Sequence, residues 1–219
     1  MINWTLLFGS LPDLLVCAGI NIYIALCAVL IGSILGLCLA LMEGSSSVLL
    51  KGAAIGYNTF FRGTPMIVQI MFVFYALPQL GVNMSPLTSV IAAIGLNSAA
   101  YLSQVLRSGF KSVPAKQMAA ARSLGLSAQQ AYRHVIIPQC LRNIFPALGN
   151  ECITLLKDSS LASVVGIVEI VKMGAIIRGR TFEAFTVLLA VAIVYLFLTT
   201  LLSGGMKMVE AKMEKPCSL

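Results

Sequence analysis

The stretch AAARSLGLSAQQAYRHVIIP, residues 119–138, predicts a polar helix-turn-helix within a chain that is otherwise overwhelmingly apolar. Gly125 stands where the first helix would end on a left-handed residue. Ser127 is suited to cap the second helix, with Gln130 three residues on as its capping-box partner. The alanines at 119–121 leave the helix backbone open to another protein. The pattern favours a docking element, and the alternative is a plain amphipathic helix lying on anionic lipid.

Capping residues set the predicted boundaries of this unit. Ser112 is expected to cap the first helix, residues 115–124, with Pro114 in its first turn. The second helix is expected over residues 128–137 and should stop at Pro138, because proline lacks the N–H that continues a helix. The two short helices should therefore lie at an angle to each other on a membrane surface.

The composition is that of an integral membrane protein. Of the 219 residues, 58% are hydrophobic and 11% are charged, whereas a soluble domain is about a quarter charged. The six cysteines form no CxxC pair, which favours neither a disulfide framework nor a zinc site. The net charge of +7 does not indicate a nucleic acid partner, because the position of Lys and Arg matters more in a membrane chain than their sum.

Apolar runs predict an all-α integral membrane protein with about five spans in one transmembrane domain, residues 1–219. The predicted spans are 14–42, 64–80, 87–106, 146–173 and 186–204, with a loop at 174–185 and the polar helix-turn-helix loop at 112–138. Gly32 and Gly36 in the first span form a GxxxG spacing. That spacing can let another helix approach closely, or it can arise by chance in an apolar helix.

The distribution of cations predicts the orientation in the membrane. Residues 44–62, residues 107–143 and the tail from Lys207 hold most of the Lys and Arg. These segments should face the cytoplasm, because cytoplasmic loops carry the excess of positive charge. Five spans then place the N-terminus outside, the C-terminus inside and the helix-turn-helix in the cytoplasm.

The helix-turn-helix resembles the EAA loop in the permease subunits of ABC importers. That motif reads Glu-Ala-Ala, three residues, Gly, nine residues and Ile-x-Leu-Pro. Here the alanines at 119–121 are followed at the same spacings by Gly125 and by Val-Ile-Ile-Pro at 135–138. Ala119 stands where the family usually has Glu, so either the loop docks with one polar contact fewer or its ATPase does not need that contact.

Other segments resemble the polar-amino-acid permeases of the histidine, arginine, glutamine and glutamate type. They are residues 61–65 with 68–69, 97–101, 107–110 and 156–161. The resemblance covers residues 10–210. It implies the fold of a type I importer permease and a place in the inner membrane of a bacterium.

The resemblance also implies partners. In this family the loop docks into a cleft on a cytoplasmic ATPase subunit. The residues carried over to that contact are Ala119, Ala120, Ala121, Arg122, Gly125, Leu126 and Pro138. The chain has no Gly-Lys followed by Ser or Thr, so ATP and Mg²⁺ are expected on the ATPase, with no cofactor, metal or catalytic residue here. The other implied partners are a second permease, identical or homologous, and an extracytoplasmic binding protein.

Carboxylates inside the fourth span are the candidate substrate site. Glu151 and Asp158 lie seven residues apart, close to two helical turns, so both should project from one helix face. Asp158 would lie about 18 Å into the span, near the midplane, where transporters tend to bind substrate. Ser159 and Asn97 are further candidate contacts. The alternative is that Lys157 or an arginine on another span neutralises the carboxylates, although Lys157 lies about 100° round the helix from Asp158.

Two other charged features have simpler interpretations. Glu169 and Lys172, three residues apart, are expected to pair with each other. Arg62 is expected to be an interfacial anchor.

These patterns favour the membrane subunit of an importer for a polar amino acid. The acidic stripe favours arginine, lysine or histidine, and glutamine stays open because an α-amino group also satisfies a carboxylate. An ion-gradient-driven secondary transporter is one alternative, and it would leave the EAA spacing unexplained. A non-transporting membrane scaffold is the other.

Overall fold

The computed structural model describes residues 2–214, apart from the side chain of residue 214. Cys217 and the end of the basic tail lie outside this range. The described chain is helical and contains no strand, which confirms the all-α prediction. Its α-helices are α1 (Trp4–Glu43), α2 (Val48–Gly63), α3 (Met66–Met71), α4 (Pro86–Ser112), α5 (Ala115–Ser123), α6 (Ala128–Ala131), α7 (Ile137–Asp158), α8 (Ile170–Thr181) and α9 (Ala184–Glu214).

Three of these helices, α1, α4 and α9, are each long and apolar enough to cross a membrane. Two bent pairs bring the number to as many as five. The first joins α2 to Met66–Leu80 at 103°, and the second joins Ala128–Val165 to α8 at 52°. Each of the five predicted intervals falls on one of these helices or pairs. The exact span boundaries stay predictions.

The prediction of a loop at residues 174–185 is wrong for most of this range, because α8 continues to Thr181. The N-terminus of α8 is capped by the Glu169 carboxylate, which accepts hydrogen bonds from the backbone N–H groups of Val171 (2.9 Å) and Lys172 (2.7 Å). Arg178 in its last turn complements the negative end of the helix dipole. The cap and the charge favour a helix where the polar composition had indicated a loop.

The predicted glycine turn of the helix-turn-helix is confirmed. Gly125 has φ +83°. The N–H of Leu126 donates to the carbonyl of Ala121 (3.3 Å) and that of Gly125 to Arg122 (3.1 Å), the two bonds of a Schellman motif. The turn therefore holds α5 and α6 in a fixed bend through its backbone.

The predicted capping box is also confirmed. Ser127 Oγ accepts from the N–H of Gln130 (3.2 Å), whose side chain accepts from the N–H of Ser127 (2.8 Å). The predicted cap at Ser112 is wrong. Ser112 instead ends α4, where its hydroxyl donates to the carbonyl of Gly109 (2.7 Å), and Pro114 precedes α5.

The predicted stop at Pro138 is wrong as well. The chain passes from α6 through a single π-helical turn, Tyr132–Ile136, directly into α7, with Pro138 in its first turn. In the π turn the N–H of Ile137 donates to the carbonyl of Tyr132. The wider turn contains His134, four residues before Pro138. In a regular α-helix the proline crowds the carbonyl of His134 and leaves it without a donor. The second helix of the unit is thus continuous with the candidate substrate helix.

The GxxxG spacing lies at a close helix–helix contact between α1 and α4. A Cβ on Gly36 would lie 3.0 Å from the carbonyl oxygen of Ala99 and 3.1 Å from the backbone nitrogen of Ser103. A Cβ on Gly32 would lie 2.6 Å from Ser98 Oγ. The two glycines therefore let α4 approach the backbone of α1, as the spacing predicted.

We expect Gly36→Ala to lower the thermal unfolding temperature of the purified protein in detergent by a few degrees. The added methyl group meets backbone, which cannot move aside, and such overpacking costs about 1–3 kcal/mol. Gly19→Ala is the matched control, because a Cβ at Gly19 in the same helix meets no described atom within 4 Å. Equal unfolding temperatures for the two variants would contradict close packing at Gly36.

Candidate functional site

A cavity of about 430 Å³ lies between the end of α2, the start of α3, α4 and α7. Its described lining residues are Thr64, Pro65, Met66, Asn97, Tyr101, Glu151, Thr154, Leu155 and Asp158. The break between α2 and α3 opens this space, because the chain turns at Thr64 and Pro65 before the next helix begins. A cavity with several polar side chains in its wall therefore lies beside the bend between α2 and α3.

Glu151 and Asp158 both line the cavity, so the prediction that seven residues place them on one face of α7 is confirmed. Both residues are partly buried. The Ser98 hydroxyl of α4 donates to Glu151 Oε1 at 3.3 Å. The described lining contains no lysine, arginine or histidine. The arrangement can thus hold an ammonium or guanidinium group between two carboxylates.

Asn97 reaches the same cavity from α4, and its orientation is fixed. Its amide nitrogen donates to the carbonyl of Phe61 (2.9 Å) and to Gln69 Oε1 (3.0 Å). Gln69 in turn donates to Thr64 Oγ1 at 2.7 Å. This network leaves the carbonyl oxygen of Asn97 as the acceptor for a ligand, and it ties the break after α2 to α4.

Ser159 lies elsewhere. Its side chain is fully buried, accepts a hydrogen bond from Asn21 Nδ2 (2.8 Å) and donates to the carbonyl of Leu156 (2.7 Å). Ser159 begins a 3₁₀ segment, Ser159–Val165, and lies about 100–120° round the helix from Asp158, so it does not line the cavity. Ser159 therefore belongs to the protein interior.

The network around Ser159 is centred on Glu169. That carboxylate is fully buried and accepts from Asn21 Nδ2 (3.1 Å) and the Tyr195 hydroxyl (3.3 Å), besides two backbone amides of α8. The expected pairing with the Lys172 side chain is wrong, because only the backbone N–H of Lys172 contacts Glu169. The network joins three parts of the fold, namely α1, α9 and the bend that precedes α8.

At the other end of the bundle a second buried carboxylate, Glu43, forms an ion pair with Arg107. Glu43 Oε2 also accepts from Gln104 Nε2 (2.9 Å) and Asn58 Nδ2 (3.3 Å). These groups come from α1, α2 and α4, far apart in sequence, and no local spacing indicated them. The cluster fixes the ends of three helices beside the helix-turn-helix.

The surface of the helix-turn-helix is largely accessible. Most of its predicted contact residues are exposed or partly exposed, namely Ala119, Ala120, Arg122, Gly125, Leu126 and Pro138. Ala121 is buried at 4% exposure and so faces its own chain. Arg122 folds back, donating to the carbonyl of Leu126 at 3.1 Å. Leu124, which the sequence pattern did not single out, is 84% exposed at the turn.

Comparison with known proteins identifies the family. Residues 13–215 match the family described as "Binding-protein-dependent transport system inner membrane component". The chain belongs to this family. It is therefore a membrane component of a binding-protein-dependent transport system, which confirms the resemblance read from residues 119–138 and from the other matched segments.

The similar proteins cover nearly the whole of this inner membrane component. The probable amino-acid permease protein YxeN of Bacillus subtilis is 38% identical over 98% of this chain and 97% of its own length. The glutamine transport system permease protein GlnP of Escherichia coli is 31% identical, over 97% and 98%. A solved amino acid ABC transporter with histidines has a TM-score of 0.89 at 34% identity, over 97% and 99%.

Proposed function

We propose that the cavity between Glu151 and Asp158 of this ABC importer permease subunit holds a polar amino acid during transport, and that ATP hydrolysis on a separate subunit drives the transport. The observation that carries the proposal is the pair of carboxylates, with Asn97, in one cavity beside the bend between α2 and α3. Charged groups at membrane depth usually face a cavity or a partner, and they mark substrate pathways. The amino-acid relatives named above support the same conclusion.

The cavity chemistry favours the positively charged end of the substrate. An ammonium or guanidinium group bound between Glu151 and Asp158 makes charge-assisted hydrogen bonds, which are about twice as strong as neutral ones. A basic amino acid uses both carboxylates, and glutamine uses one of them for its α-amino group. The Asn97 carbonyl offers a further acceptor.

The helix-turn-helix is the coupling element in this proposal. It faces the cytoplasm, with the N-terminus outside and the C-terminus inside, and docks on a separate ATPase that binds ATP and Mg²⁺. Residues 128–158 are helical throughout, so a push on α5 and α6 reaches Asp158 along one helix. Such a rigid connection can transmit a domain closure.

Two more partners complete the importer. A binding protein delivers the amino acid from outside, and a second permease, identical or homologous, faces this one across the pathway. The family's description, which names binding-protein-dependent transport, supports the first. Lipid surrounds the remaining apolar faces.

Uptake by the complete importer in proteoliposomes tests the proposal. With ATP inside, we expect uptake of arginine, lysine, histidine or glutamine, and no uptake of glutamate, because two carboxylates repel its side chain. Preferred uptake of glutamate, or of an apolar amino acid, would contradict the role of the carboxylates. No uptake of any amino acid would favour the scaffold alternative.

A further inference from the structure

The substrate cavity has a charge imbalance with respect to an amino acid. It presents two carboxylates, and its described lining has no cation. Every α-amino acid also carries a carboxylate of its own. At an effective dielectric constant of about 20, two like charges 6 Å apart repel by about 3 kcal/mol. Tight binding therefore needs a cation near the cavity.

Arg62 is a cation that can pair with the α-carboxylate of the substrate. It lies in the last turn of α2, two residues before Thr64 of the cavity wall. Its guanidinium carbon lies 5.4 Å from the ring centroid of Tyr101, and Tyr101 lines the cavity. Among the described residues, no carboxylate lies within 4 Å of Arg62. Its charge is thus available to a ligand.

Arg62 also lines a second, smaller cavity. Its volume is about 210 Å³, and it is lined by Glu43, Ile55, Asn58, Thr59, Arg62 and Gln104. Glu43 is already neutralised by Arg107. Arg62 is therefore the unpaired charge among these six residues, and its contact with Tyr101 brings it to the wall of the acidic cavity.

Other nearby cations are less suited. Lys157 is adjacent to Asp158 in sequence, but its side chain is exposed and points about 100° round the helix from Asp158. Arg107 is held in the ion pair with Glu43. Arg62 alone of these three combines an unpaired charge with contact to a cavity residue.

We propose that Arg62 binds the α-carboxylate of the transported amino acid beside Tyr101, at the edge of the cavity, while Glu151 and Asp158 bind its positive groups. Tyr101 supports the guanidinium through the face of its ring. The inference rests on the proposed function and adds a specificity rule to it. The site requires a free α-carboxylate and rejects the corresponding α-amide.

Equilibrium binding to the purified permease–ATPase complex, without binding protein, tests Arg62. The probes are labelled L-arginine and L-glutamine, each competed by its own α-amide. We expect Arg62→Gln to weaken binding of the amino acid about tenfold or more, the equivalent of one charged hydrogen bond. Binding of the α-amide should change less than about twofold, so the preference for carboxylate over amide disappears.

Matched variants make the result decisive. Arg62→Lys keeps the charge and should keep part of the preference, and Lys157→Gln should leave it unchanged. Equal weakening of amino acid and amide in Arg62→Gln would show a merely structural role and overturn the inference. Loss of the preference in Lys157→Gln, or unchanged binding in Arg62→Gln, would also overturn it. Unchanged affinity in Asp158→Asn would count against the proposed substrate site. The preference for the amino acid over its α-amide in Arg62→Gln tests the inference about Arg62 separately.

Discussion

Replacing Asp158 by asparagine is expected to weaken amino-acid binding to the permease–ATPase complex about tenfold to hundredfold and to reduce uptake accordingly. The carboxylate lines the cavity and is partly buried. Removing its charge leaves a bound ammonium or guanidinium group without a partner, and a hydrogen bond to a charged group contributes about 1.5–3 kcal/mol. Equilibrium binding of labelled arginine and glutamine, with uptake in proteoliposomes, measures the effect.

Two further variants test whether the effect belongs to the cavity. Glu151→Gln should weaken binding less than Asp158→Asn, because the new amide can still accept the hydrogen bond from Ser98. Glu183→Gln removes a carboxylate that lies between α8 and α9, away from the cavity, and should leave binding unchanged. If Asp158→Asn and Glu183→Gln bind the amino acid equally well, the cavity is not the substrate site.

Replacing Gly125 by valine is expected to separate ATP hydrolysis from transport. Gly125 has φ +83°, and a residue with a side chain pays about 1–2 kcal/mol there, a β-branched one more. A Cβ at this position meets no described atom within 4 Å, so the strain comes from the backbone alone. The bend between α5 and α6 should then shift, and uptake should fall at least about tenfold while the complex still hydrolyses ATP.

Two control variants test whether the effect of Gly125→Val comes from backbone strain at this turn. Gly125→Asn should retain most of the uptake, because asparagine tolerates the left-handed conformation. Gly56→Val places the same side chain on a helical glycine of α2 that also has open space around it, and it should leave coupling intact. Normal uptake per ATP in Gly125→Val would count heavily against docking through this turn.

Local geometry explains what could be predicted from the sequence. The turn at Gly125, the capping box at Ser127 and the shared face of Glu151 and Asp158 depend on residues within two helical turns of each other. Spacing alone determines such features. The EAA spacing and the other matched segments added the family, because they combine several local features in one order.

Contacts between distant segments explain what could not be predicted. Ser159 points away from the cavity because it lies about 100–120° round the helix from Asp158, and Asn21, 138 residues earlier, binds its hydroxyl in the interior. The bent pair at Thr64 that opens the cavity depends on Gln69 and Asn97 together. No periodicity in a single sequence carries such partners.

Pro138 shows another limit of prediction from the sequence. Its missing N–H predicted the end of the helix, whereas the chain forms one π turn at Tyr132–Ile136 and continues into α7. The difference decides the mechanism, because a continuous helix links the coupling turn to Asp158, whereas a break would not. The local rules for proline do not say whether the helix ends or continues through a π turn, because tertiary packing decides between the two.

The most direct test of the account measures ATP hydrolysis and amino-acid uptake together in proteoliposomes that contain the complete importer. We expect uptake to require ATP, to rise in proportion to hydrolysis and to be unaffected by an ionophore that collapses ion gradients. Uptake that survives removal of ATP and disappears with the ionophore would contradict the account and identify a transporter driven by an ion gradient.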